Sequence, residues 1–123
     1  MTVLIFATVP REVYVYHFDY VDPDLATTGL GVIHGSELKF IFNNLIDDDT
    51  WNEEAKNIAN EMQSAWINYI KHGNPNVPSG NQTWQNYDPA SPQEMHIDKE
   101  RTMRPVLDRD DVVFINQRLQ RQR

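Results

Sequence analysis

His34 stands in the stretch GVIHGSEL, residues 31–38, with Gly31 three residues before it, Gly35 directly after it and Glu37 three residues on. An imidazole titrates near neutrality, so it is the side chain best suited to take a proton from a reacting group and return it. Glycines at 31 and 35 allow a turn tight enough to carry the ring at its apex, close to another loop. The plainer reading is a polar residue at a helix entrance, with Glu37 as a capping partner to Ser36 or the backbone before it. A proton carrier also needs a nucleophile to serve. The four serines, Ser36, Ser64, Ser79 and Ser91, all lie outside any G-x-S-x-G, and no cysteine is present. Cysteine nucleophiles, disulfides and thiolate metal sites are therefore excluded.

Other chemistry finds less support. His17, His34, His72 and His96 have no ligand spacing among them, so no metal site is expected. The run IDDDT, residues 46–50, lacks the alternating oxygen ligands and closing glutamate of a calcium loop. It reads as a solvated acidic turn. GLGVIHG has the wrong spacing for a dinucleotide loop and follows no strand directly, so no cofactor is expected. Asn81-Gln82-Thr83 is a glycosylation triplet, usable at Asn81 only in a secretory pathway.

The elements that must position His34 can be placed from periodicity. VYVYHFDY, residues 13–20, is rich in β-branched and aromatic residues on both faces, the pattern of a strand covered on both sides within an α/β sheet. VDPDLATTGLG follows as a loop broken by Pro23, Gly29 and Gly31. SELKFIF has room for about two turns of helix, which Asn43-Asn44 would stop by adopting a left-handed cap. The long helix is expected over 51–72, capped by Thr50 with Glu53 at its third position. Ala55, Ile58, Ala59, Met62, Trp66, Tyr69 and Ile70 make its apolar face, and Gly73 with Pro75 ends it. TWQNYDPASP is an aromatic-bearing turn region, QEMHID a short strand, and a last helix with a basic end is expected from about Asp110. Trp51, Trp66 and Trp84 are expected in the core.

The 123 residues carry a net charge of −7, with 40% hydrophobic and 24% charged side chains, as suits a folded globular chain. That charge disfavours nucleic acid and an anionic membrane surface as partners. The apolar run from Val3 to Val9 is too short to span a membrane and lacks a signal-peptide pattern. The compartment stays open. One strand of the 13–20 type with few neighbours would leave backbone groups unpaired, so the chain reads as part of a larger fold.

GVIHGSELKFIF resembles the catalytic-histidine segment of type B carboxylesterases, the α/β-hydrolase family that includes cholinesterases and para-nitrobenzyl esterases. YVYHFDY is similar to that family's preceding strand. MQSAWINYIKHGNPN, WQNYDP and MHID are similar to its C-terminal stretch, in order and at plausible spacing over roughly residues 13–100. The resemblance implies an α/β class, an incomplete C-terminal portion of an α/β-hydrolase fold with one to three strands and flanking helices. Residues 1–12 form an unrecognised start, and 13–123 correspond to the C-terminal part of the domain.

His34 would then be the triad histidine, with Glu37 and Gly35 in supporting roles. The serine, the acid and the oxyanion loop are expected upstream of Met1, because the family's triad order is serine, acid, histidine. Alone, the chain is expected to be catalytically silent. The partner in the complete protein would be an ester substrate, with homo-oligomer contacts through the last helix. The alternative is a non-catalytic, cholinesterase-like adhesion or interaction module, since some relatives keep the fold without the chemistry.

Overall fold

A computed structural model describes residues 2–3, 12–45, 51–76 and 83–106. Four strands form one mixed sheet in the order β1 (Thr2–Val3), β2 (Tyr16–Phe18), β3 (Gln93–Ile97) and β4 (Arg101–Pro105). β1 runs antiparallel to β2, β2 parallel to β3, and β3 antiparallel to β4. Parallel pairing of β2 with β3 requires a long crossover. It is supplied by α1 (Pro23–Ala26), α2 (Leu38–Ile41) and α3 (Glu53–His72).

The strand expected over 13–20 is regular only at its centre, although pairing extends past both ends. Val15 accepts from the Met95 amide at 2.9 Å, and the Asp19 amide donates to the Ile97 carbonyl at 2.8 Å. Side chains alternate along it. Tyr16 and Phe18 are in register with Met95 and Ile97 and join Ile58, Ala59 and Met62 of α3 in the core. The opposite face is apolar only as far as Val15. Beyond it, His17 lies 3.9 Å from Glu94, Glu94 accepts from Arg104 at 3.0 Å, and His96 meets Asp19 at 3.2 Å. The expectation of two apolar faces is corrected here: the second face is charged and paired.

The start of α3 also differs from expectation. Asn52 is the cap, its side-chain oxygen accepting from the Ala55 amide at 2.9 Å. Glu53 is thus the first helical residue instead of the third, and the capping box is replaced by a single-residue cap. Thr50 lies outside the described residues. The C-terminus is as expected, with Gly73 left-handed at φ 73 and its amide bonded to the Tyr69 carbonyl.

α2 is one turn, shorter than expected, because its C-terminus closes early. Asn43 adopts φ 49, its amide donates to Phe40, and the Asn44 amide reaches back to the Lys39 carbonyl at 2.8 Å. This is a Schellman closure with asparagine in the position usually held by glycine. α1 lies where a loop was expected; Asp22 caps it and Pro23 occupies its first turn. β4 was not anticipated, since RTMRP alternates only weakly and carries two arginines.

Trp51 and Trp84 are buried, and Trp66 is partly buried against the same core. The indole N–H of Trp84 donates to the Val15 carbonyl at 3.0 Å, fixing the aromatic turn region under β2. IDDDT, Asn81 and the last helix expected from Asp110 all lie outside the described residues.

Candidate active-site segment

His34 sits in the turn that links α1 to α2. Gly31 has φ 67 and Gly35 φ 81, values at which a side chain with a Cβ is strained. The turn is closed by short-range bonds. The Ser36 hydroxyl donates to the Ile33 carbonyl at 2.7 Å and accepts from the Ile33 amide at 3.1 Å. The Ser36 amide also donates to Ile33, and the Leu38 amide to Gly35. Ser36 is therefore occupied with its own turn and is itself buried. His34 is exposed, displayed on a turn whose glycines hold backbone angles that other residues rarely adopt.

Glu37 is buried and stands at the N-terminal boundary of α2, where its side chain makes no capping bond. Its charge acts on Tyr16: burial first, then the Glu37 carboxylate, pushes the Tyr16 phenol up to about 12. The plainer reading, in which Glu37 caps Ser36, is thus not what the side chains do. Glu37 is buried and acts electrostatically on Tyr16 of β2, while His34 is exposed.

Two residues that the sequence reading left unassigned bracket this turn. Asp22 is completely buried, with one oxygen accepting from the Leu25 amide at 2.9 Å and the other 2.5 Å from the Lys39 ammonium. The second contact is a charge pair and not an aligned hydrogen bond. Lys39 also lies over the Trp51 ring, 4.6 Å from its centroid. Asp-Pro at 22–23 is a legible helix-start signal, but nothing in the spacing linked it to Lys39.

Among the described residues, no group of three or more His, Cys, Asp or Glu side chains could hold a metal ion. No helix among them is long and apolar enough to cross a membrane. A small apolar cavity of about 50 Å³ is lined by aromatic residues including Tyr14, Tyr16, Trp66 and Trp84, at the junction of β2 and α3. Most of its ring pairs meet edge to face, as at Tyr16–Trp66 with centroids 5.1 Å apart, which is the packing of a core margin.

The profile of the Carboxylesterase family matches residues 3–115. Acetylcholinesterase of Bungarus fasciatus is 29% identical over 89 residues, covering 70% of this chain and 15% of that protein. Para-nitrobenzyl esterase of Bacillus subtilis is 32% identical over 75 residues, covering 57% of this chain and 15% of that protein. The crystal structure of the Geobacillus stearothermophilus carboxylesterase EST55 superposes with a TM-score of 0.66 at 27% identity, over 83% of this chain and 21% of that one. The chain thus spans about 15% of the curated relatives it matches. A profile match over most of its length, joined to a shared mixed α/β arrangement, makes this chain a member of the carboxylesterase family.

Proposed function

We propose that this chain is the histidine-bearing C-terminal segment of a serine carboxylic-ester hydrolase. The observation that carries the reading is His34 itself: an exposed imidazole on a turn that Gly31 and Gly35 hold at positive φ, in a member of the carboxylesterase family. In the complete enzyme, His34 accepts the proton of the serine hydroxyl as that oxygen attacks the ester carbonyl. It then delivers the proton to the departing alkoxide, and repeats the cycle with water to release the acid. Glu37 and Gly35 support the turn. The serine, its acid partner and the oxyanion donors come from the portion of the domain that precedes this segment.

The test is substitution in the complete polypeptide that carries this segment. His34→Ala lowers kcat by roughly three or more orders of magnitude while the fold is retained; turnover within tenfold of the parent would overturn the assignment. The 123-residue chain alone has no G-x-S-x-G. It therefore leaves a short-chain p-nitrophenyl ester unhydrolysed and takes up no serine-directed fluorophosphonate. Stoichiometric labelling of any of its four serines would contradict the reading. If the complete polypeptide lacked a nucleophile serine, the non-catalytic adhesion alternative would take its place.

A further inference from the structure

We infer that Asp22 and Lys39 are positioning residues that hold the His34 turn in place through a buried charge pair across the neck of its loop. The inference rests on the reading of His34 as a proton carrier and deepens it. Hydrogen bonds within the turn, such as Ser36 to Ile33 and Leu38 to Gly35, run between near neighbours and set its local shape. Positive φ at Gly29, Gly31 and Gly35 adds conformational freedom along the same path.

The Asp22–Lys39 pair joins the two ends of this loop. Asp22 stands at the entrance, directly after the β2 region, and Lys39 lies within α2 at the exit. Asp22 is fully buried and anchored by its bond to the Leu25 amide, while the Lys39 side chain is 29% exposed. The Lys39 stem is held in turn over Trp51, which belongs to the core. A buried carboxylate with an ammonium partner has one favourable arrangement, because separating the two would strand the carboxylate in a low-dielectric site. The pair therefore fixes the loop's two ends relative to each other and to the core. A proton carrier misplaced by about an ångström loses much of its effect on the reaction.

Asp22→Asn keeps an oxygen for the Leu25 amide and removes only the charge. Lys39→Met keeps the apolar stem and removes the ammonium, and Lys39→Arg restores a cation. Hydrogen exchange followed by mass spectrometry on the full chain separates the loop from the core. In Lys39→Met, and in Asp22→Asn, amides of residues 31–38 exchange at least tenfold faster while those of α3 stay within twofold; Lys39→Arg behaves as the parent. If Asp22→Asn loses α3 protection as well, the partly exposed Lys39→Met decides the matter. Unchanged loop exchange in Lys39→Met overturns the inference.

In the complete polypeptide, Lys39→Met lowers kcat about tenfold at constant KM, and Lys39→Arg recovers it. A large loss for His34→Ala with none for Lys39→Met overturns the clamp and leaves the His34 reading standing. An inert His34→Ala overturns both.

Discussion

His17 lies where β2 meets the charged sheet face, and the fold keeps its imidazole harder to protonate than in an open chain. Burial is the largest cause, and Arg104 acts in the same direction. Glu94 and Asp19 oppose them, and the His96 ring stands 6.3 Å away across the strand pair. The unfolded chain takes up that proton near the ordinary value of about 6.5. Below that pH the unfolded state binds a proton that the folded state resists, so stability is fully present above it and falls with further acidification. The slope for one such group is at most about 1.4 kcal/mol per pH unit. Denaturant melts between pH 7.5 and 5 read this directly. His17→Gln flattens the acid limb, and an identical slope in the variant would remove His17 as its source.

Residue by residue, the sequence showed His34 and its glycines because the unusual backbone they require has few alternative spellings. It did not show the Asp22–Lys39 pair, because a charge pair between an apparent loop and a helix leaves no periodic trace.

The elements show where local signals suffice and where tertiary context decides. The apolar stripe of α3 was legible in its first half, where Ala55, Ile58, Ala59 and Met62 repeat at helical spacing and are all buried; Ile70, expected on the same face, is instead 79% exposed near the end of the helix. Its start was misplaced because Thr50, three residues before Glu53, matches a capping-box spacing, whereas the Asn52 side chain makes the capping bond. Asn52→Ala is expected to cost about 1 kcal/mol, read as a lower denaturation midpoint at unchanged m. Gly73→Ala meets no neighbouring atom within 4 Å, so its cost is that of forcing alanine into φ 73, roughly 1–2 kcal/mol. A midpoint equal to the parent in either variant would show that fraying at that end carries no weight in the cooperative unit. The strand β4 escaped notice because its hydrophobic alternation is weak. What stabilises it is pairing with β3, including the Arg104–Glu94 contact at 3.0 Å, which no local pattern reports.

At the scale of the molecule, burial is uneven. The α3-facing side of the sheet is closed, yet Leu30, Leu38, Phe42 and Ile70 are 68%, 51%, 70% and 79% exposed. Fully burying a side chain of this size contributes roughly 1.5–3 kcal/mol, comparable in sum to the net stability of a small domain. Large exposed apolar groups seek cover, and a chain spanning about 15% of its curated relatives leaves that cover to other surfaces. At micromolar concentration the isolated chain is therefore expected to self-associate. Light scattering after size exclusion, with a thermal melt, tests this, and the double variant Leu38→Lys/Phe42→Lys shifts the population toward monomer. A sharp cooperative transition from a species of monomer mass would show an autonomous domain instead.

The ammonium of Lys39 over the Trp51 ring also has an optical consequence. The excited state of an indole redistributes charge, so a cation lying 4.6 Å from the ring centroid sets the colour of its emission. Trp66 and Trp84 lie close together, with ring centroids 5.9 Å apart, and Trp51 instead packs against Phe40. The difference in emission between the parent and Trp51→Phe isolates that single ring. Its wavelength tells whether the neck of the loop is shut, and the chain thus carries its own dye at the point where the His34 turn is anchored.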